Sequence, residues 1–197
     1  RGGETLRFTY NNIKFNIRIA DVFVSPQGFA AVYPSEQFER VSAAPQSYII
    51  DIGGYTTDIA RIVNKRMDTS FFESLDFGVI HLYNEIISMV GKEFQLQITS
   101  VHIEAILHGM SISHPEIEAA VRKAANIYAH KIVDALRDKG VDLTLSVPVL
   151  VGGGSLLLHD ALVEAIGNPN LVTIPDVRAN AIGYEVFANM MLADKKR

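Results

Sequence analysis

The sequence has no cysteine among its 197 residues, which excludes disulfides and thiolate metal sites. It has no run of lysine or arginine, and its net charge is −4. Both features argue against strong, direct binding to a nucleic-acid backbone. The basic tail Lys195-Lys196-Arg197 is too short to change that and reads as a solvated terminus. No apolar stretch approaches the ~20 residues that a membrane span requires. No signal peptide is visible, and the chain opens at Arg1-Gly2-Gly3 without a methionine, so it reads as a fragment whose true beginning is unseen. The expectation is a soluble, cytoplasmic protein with no membrane partner. Internal repeats, low-complexity tracts and a Gly-x-Ser-x-Gly elbow are all missing. Ser155 with His159 therefore gives no hydrolase signature, and Ser155 reads as a helix N-cap. The six histidines show no metal-ligand spacing.

What is present is a chain 48% hydrophobic, enough for a sizeable core and one or two domains. Its most informative stretch is Tyr48-Ile-Ile-Asp-Ile-Gly-Gly-Tyr-Thr-Thr-Asp-Ile-Ala60. An apolar run ends in Asp51, and a second begins after Asp58. The pattern predicts a β-hairpin with Gly53-Gly54 as its tight turn. Glycines there let backbone N–H groups approach an anion, Thr56 and Thr57 add hydroxyl donors, and Asp51 at the strand end suits a hydrated cation. Asp58 reads as an anchor for the turn, since a carboxylate buried as a plain strand residue is costly. Tyr55 reads as solvent-facing. A second glycine-rich strand exit follows at Val147-Pro-Val-Leu-Val-Gly-Gly-Gly-Ser155, a buried strand leading into a helix from about Leu156. Glycines allow a flat group to lie against the backbone there. Two such exits suggest one nucleotide held by its two ends.

The rest of the chain alternates in period. Residues 5–24 read as two strands joined at Asn11-Asn12, followed by a break at Ser25-Pro-Gln-Gly28 and a helix over 29–40. A strand over 68–75 follows the glycine hairpin. A helix from Val79 is expected to stop at Gly91, with Asp76 as its cap candidate. A second helix covers 100–108, and a third starts at Pro115 and stops at Gly140. A helix over 156–166, a short strand near Val172 and a last helix from Asn180 complete the chain. Strands, then clustered helices, then strand and helix again indicate an α/β fold with a mixed sheet.

With both glycine motifs placed, the chain resembles the actin-like ATPases, most closely the bacterial plasmid-segregation actins of the ParM/StbA type. Asp51-Ile-Gly-Gly-Tyr-Thr-Thr-Asp58 is similar to that family's second phosphate motif, and Val151-Gly-Gly-Gly-Ser155 to its adenosine motif. Ser25-Pro-Gln-Gly28 and Ala179-Asn-Ala-Ile-Gly183 resemble its two interdomain connections. The resemblance implies an actin-like (ribonuclease H-like) fold whose two lobes close on ATP or ADP with Mg2+, and hydrolysis coupled to filament assembly. Carried onto this sequence, Asp51 binds the metal through water and polarises the attacking water, which Gln27 orients. Gly53, Gly54, Thr56 and Thr57 cradle phosphates, with Asp58 beside them. Gly152, Gly153, Gly154 and Ser155 lie at the adenosine.

The family's first phosphate motif, an Asp-x-Gly turn with a downstream lysine, is missing, and Asp21-Val-Phe does not replace it. The resemblance therefore implies the C-terminal portion of a longer protein, lacking the N-terminal part of lobe I. Residues 1–46 are expected to be a remnant of lobe I with the first connection. Residues 47–181 then form the nucleotide-binding lobe II, with a small helical subdomain over about 78–140, and residues 182–197 a helix returning to lobe I. Half a site makes hydrolysis by this chain alone doubtful. The implied partners are further copies of the protein in a filament, and DNA only through an adaptor. The unpartnered apolar residues Phe8, Tyr10, Phe15 and Ile17 are expected to invite dimers or strand swapping. Two other readings stay open: a sugar- or acetate-kinase relative, and a non-catalytic scaffold on the same fold.

Overall fold

The computed structural model describes residues 3–22 and 24–194, so the tail Lys195-Lys196-Arg197 lies outside the described residues. Amino-terminal alternation gives β1 (Thr5–Tyr10) and β2 (Ile13–Arg18), an antiparallel pair running from Thr5↔Arg18 to Tyr10↔Ile13. Asn11 and Asn12 take φ of 47° and 62°, the left-handed backbone that a two-residue hairpin turn needs and that asparagine tolerates. Strand structure ends at Arg18, short of the expected residue 24. The helix expected over 29–40 is two, α1 (Phe29–Val32) and α2 (Phe38–Ala43). Pro34 lies between them, and a proline lacks the N–H that would carry a helix onward.

A five-stranded sheet follows. Its strands are β3 (Gln46–Ile52), β4 (Thr57–Val63), β5 (Arg66–Leu75), β6 (Val147–Val151) and β7 (Val172–Thr173). The spatial order is β5-β4-β3-β6-β7, with β3-β4-β5 antiparallel and β3, β6 and β7 parallel. Between β5 and β6 the chain forms α3 (Val79–Phe94), α4 (Ser100–Leu107) and α5 (Pro115–Asp138). Pro115 opens α5 with Glu116 and Glu118 in the first turn, where the helix dipole favours acids. α3 passes through Gly91 and ends at Gln95, which takes φ 56°. A glycine in a helix costs only ~1 kcal/mol, so packing overrides it as a stop signal. The helix expected over 156–166 is also divided, into α6 (Gly153–Leu157) and α7 (His159–Ile166), and α8 (Ala179–Asp194) closes the fold.

The period of two in β3 sorts its side chains between two cores. Tyr48, Ile50 and Ile52 join Leu150 under α3, α4, α5 and α7, with Leu82, Ile103, Tyr128 and Leu162 among their partners. Ile49 joins Ala60, Val149 and Val172 on the other face, beneath Ala31 and Val32 of α1 and Val41 of α2. The segment 29–43, grouped in the sequence reading with residues 1–46, thus packs on the sheet. α8 lies against α1, where a Cβ on Gly183 would overlap the backbone of Ala30. Among the described residues, no helix is long and apolar enough to cross a membrane.

Candidate functional site

Asp51 and Val151 are paired neighbours at the carboxyl ends of the parallel strands β3 and β6, the end of an open α/β sheet where ligands are usually held. Alternation puts the Asp51 side chain on the α1 and α8 face, where the residue is only 2% exposed. Burial pushes its carboxyl above the ordinary range. A hydrogen bond from Asn180 opposes this, the charge of Asp58 adds to it, and a hydrogen bond from Gln27 opposes it again. Asn180 Nδ2 donates to Asp51 Oδ2 at 2.7 Å. Asp58 is Asp51's cross-strand partner. It accepts from Ser74 Oγ at 2.6 Å and from Thr56 Oγ1 at 3.1 Å.

The hairpin turn differs from expectation. The last pair is Ile52↔Thr57, so the loop is the four residues 53–56 and not a two-residue Gly53-Gly54 turn. Neither glycine takes the positive φ that a two-residue turn would need. Gly53 N–H donates across the loop to Thr56 O at 2.9 Å. The first turn of α3 fixes the loop from outside, with Val79 N–H on Gly53 O at 3.2 Å and Ile80 N–H on Gly54 O at 2.9 Å. Those carbonyls cap α3, so Asp76 does not. The residue at the helix boundary is Gly78, where a Cβ would collide with the backbone of Gly54 and Tyr55. Asp76 instead faces His81 Nε2 at 3.2 Å. Tyr55 is 65% exposed, as expected.

The second glycine motif approaches the first directly. Gly152 has φ 88°, and a Cβ there would collide with Asp51 Oδ1 and lie 2.7 Å from Ile52 O. A Cβ on Gly154 would lie 2.5 Å from Ile52 Cγ2 and 2.8 Å from Ile52 O. Only hydrogen fits at either position. Ser155 is not an N-cap, because α6 already begins at Gly153. It is fully buried, and its hydroxyl donates back to Val151 O. Thr57 is likewise fully buried and donates to Phe77 O at 2.6 Å. Both hydroxyl protons are committed inside the fold and do not face an open site.

Between the motifs lies a cavity of about 310 Å³ lined by Gly53, Gly54, Gly153 and Gly154 together with Tyr83 and His108. A neighbouring cavity of about 480 Å³ shares His108 and Leu157 with it and carries the polar side chains of Arg122, Asn126 and Glu164. Tyr83 donates to Glu104 Oε1 at 2.8 Å, which ties α3 to α4 beside the opening. Burial, then Glu104, pushes the Tyr83 phenol well above its usual range. The structure therefore gathers Asp51, Gly53, Gly54, Gly152, Gly153 and Gly154. Gln27 stands beside Asp51, on the segment that leads into α1.

Residues 49–164 match the family model described as archaeal actin homologue MreB-like, C-terminal. The chain belongs to this family. No curated protein matches the sequence. Among solved structures, the MreB-like chain is similar to the archaeal actin homologue Ta0583, at 23% identity and a TM-score of 0.68, covering 96% of this chain and 63% of that one. Ta0583 has also been solved in complex with ADP. A 15-stranded ParM filament from Clostridium botulinum matches at 22% identity and TM-score 0.64, over 94% of this chain and 59% of that one. Bacillus thuringiensis ParM with ATP matches at 16% identity and TM-score 0.63, over 94% and 59%. The MreB-like chain spans less than two thirds of the length of these structures. Its mixed sheet with flanking helices is a partial actin fold.

Asn180 is the site residue that sequence reasoning passed over. It stood inside a motif assigned to a connection, Ala179-Asn-Ala-Ile-Gly183, and nothing local marks its side chain as a partner of a carboxylate 129 residues earlier. Gly78, Tyr83 and His108 were missed for the same reason, since only tertiary packing brings them to the glycines.

Proposed function

We propose that this chain is the nucleotide-binding part of an ATP-dependent, filament-forming actin-like protein. The observation that carries the proposal is the mutual approach of the two glycine motifs. Gly152 and Gly154 tolerate no side chain, and the buried carboxylate of Asp51 stands at the junction. A core packed for stability alone has no use for an ionised group held there with a second carboxylate across the strand pair. ADP and ATP in the solved relatives support the choice of ligand.

The residues fit a bound cation. Asp51 has neutral amides as its hydrogen-bond partners, and no basic side chain offsets its charge among the described residues. Asp51 would hold Mg2+ through water, and the ion would supply charge neutralisation for the phosphate tail. The exposed backbone at Gly54 would position the phosphates, joined by the Thr56 hydroxyl once it turns from Asp58, while Gly53 holds the loop through its bond to Thr56 O. Gly152, Gly153 and Gly154 leave a flat backbone surface for the nucleoside, with the neighbouring cavity as room for the base. Gln27, neutral at all pH, would orient a water without taking its proton. Thr57 and Ser155 would serve by holding the strand ends in place.

In this reading residues 47–181 form the nucleotide lobe, and residues 1–46 and 182–197 belong with the other lobe. Hydrolysis belongs to the two-lobed protein, because the first phosphate motif is not in this chain. Assembly would be head to tail through heterologous contacts that do not close into a ring. The Clostridium botulinum ParM filament supports self-association. DNA segregation through an adaptor is consistent with the net charge of −4.

The test is a thermal melt with and without Mg-ATP, on the wild type and on Asp51→Ala. A ligand that binds only the folded state raises the midpoint by an amount set by its concentration over its affinity. We expect a rise in the wild type that Asp51→Ala diminishes. An unchanged wild-type midpoint at millimolar Mg-ATP would overturn the reading for this chain.

A further inference from the structure

We infer that Asn180 is a positioning residue that ties the Asp51 carboxylate to the backbone entering α1, so that occupancy at Asp51 is felt by both segments flanking the sheet domain. Asn180 is the second residue of α8. Its amide is used on both sides. Nδ2 donates to Asp51 Oδ2 at 2.7 Å, and Oδ1 accepts from Gly28 N–H at 2.8 Å. The two bonds fix the orientation of the amide, because a flipped side chain would set donor against donor at Gly28 and acceptor against acceptor at Asp51. The Asp51 bond involves an ionisable acceptor and is the stronger type when that group is charged.

Gly28 cannot easily retreat from this bond. Its φ is 79°, and a Cβ there would lie 2.8 Å from Ile49 Cγ2, so its backbone is pressed against β3. Gly28 is also the residue from which α1 starts, with Ala31 and Val32 N–H donating to its carbonyl. α1 in turn is packed on α8 at the contact of Ala30 with Gly183. The chain of contacts therefore closes on itself through Asp51, Asn180, Gly28, α1 and α8. A cation or water network that turns the Asp51 carboxylate weakens its bond from Asn180 Nδ2, and any rotation of that amide also releases Gly28. The coupling is reciprocal, as linkage requires. The ligand half of this inference rests on the nucleotide reading of Asp51, whereas the structural half does not.

Amide hydrogen exchange on the whole chain separates the two. Without ligand, Asn180→Ala should speed exchange at Gly28 roughly five- to tenfold, the scale of one lost hydrogen bond. Asn180→Asp keeps the acceptor for Gly28 and removes the donor to Asp51, so Gly28 should stay protected while the two carboxylates repel. Equal Gly28 protection in wild type and Asn180→Ala overturns the inference. With Mg-ATP, the wild type should change its exchange over residues 28–32 and 180–184. Asn180→Ala should keep a ligand-induced rise in melting midpoint yet lose the change over 28–32. An undiminished change in Asn180→Ala overturns the coupling. If Mg-ATP neither shifts the wild-type midpoint nor alters its exchange, the nucleotide reading fails, and the ligand-free comparison still decides the role of Asn180.

Discussion

The β1–β2 and β3–β4 hairpins are both antiparallel pairs, of six- and seven-residue strands joined by a short loop, but β1 and β2 alternate apolar with polar sites whereas β3 carries the unbroken run Tyr48-Ile49-Ile50. They end in opposite environments. Every residue of β1 and β2 is exposed, including Phe8 at 47% and Ile17 at 45%. In β3 only Gln46 is less than fully buried. The difference shows that a local turn such as Asn11-Asn12 can set register by itself, while burial depends on what the rest of the chain brings. β3 is flanked by β4 and β6 and covered on both faces. β1 and β2 have each other and a stacked Phe8–Phe15 pair with ring centroids 5.2 Å apart.

The sharpest way to break the comparison is to remove equivalent bulk from each hairpin. Ile50→Ala leaves a hole between β3 and the helical face, where Ile50 is fully buried. Such a change costs about 2–5 kcal/mol, counting both lost transfer energy and the residual cavity. Urea unfolding should show a midpoint that falls by the corresponding amount with an unchanged slope. A loss under about 1 kcal/mol would mean that this face of the sheet is much looser than its burial indicates.

Next in size is Gly152→Ala. The added methyl meets Asp51 and Ile52 at a backbone with φ 88°, so both overpacking and left-handed strain apply. The expected cost is about 1–3 kcal/mol, with loss of any Mg-ATP-induced midpoint rise. Gly140→Ala supplies the contrast. Its φ is 78°, but no atom stands within 4 Å of the added methyl, so it should carry the strain without the collision. Equal destabilisation by the two substitutions would show that backbone strain alone, and not the approach of β6 to Asp51, demands glycine at 152.

Much of this architecture was legible because it is encoded locally. Asn11-Asn12 marks a turn by its own backbone preference, and the apolar run before Asp51 marks a buried strand by its own composition. Pro115 marks a helix start for the same kind of reason. What escaped was set by distant partners. Gly53-Gly54 looks like a two-residue turn until α3 supplies donors to both carbonyls and stretches the loop to four residues. Ser155 looks like a cap until Gly152 leads the helix off earlier. Gly91 looks like a stop, yet the burial of Leu82, Ile86 and Val90 carries α3 past it. Asp51 was visible as a site residue from its motif, but the amide that orients it comes from the far end of the sheet domain.

A smaller effect, of opposite sign, is expected at Asp51 itself. Its folded pKa is raised, chiefly by burial, so its contribution favours folding below the unfolded value near ~3.9 and is lost as pH rises through the folded value. The ligand-free protein therefore ionises this carboxyl only at a cost. Asp51→Asn should raise the ligand-free midpoint, and the gap between the two melting curves should widen from about pH 4 towards neutrality. With Mg-ATP the order should reverse, since the variant lacks the carboxylate. A gap that narrows as pH rises would contradict the direction assigned to the Asp51 carboxyl.

The smallest effect on stability is expected in the exposed hairpin, and it sharpens the comparison most directly. Phe8→Lys and Ile17→Lys remove apolar surface that already faces solvent, at 47% and 45% exposure, so the global unfolding midpoint should move by no more than about 0.5 kcal/mol. Their effect belongs to association. A two-stranded sheet with six exposed apolar side chains, Leu6, Phe8, Tyr10, Ile13, Phe15 and Ile17, has two open edges as templates for another strand. Sedimentation of the wild type should then depend on concentration, and the double lysine variant should run as a monomer over the same range. A wild type that sediments as a monomer at every concentration would show that pairing between β1 and β2 alone makes this surface tolerable in water. Burial of the second hairpin would then matter for the site it carries at Asp51 more than for solubility.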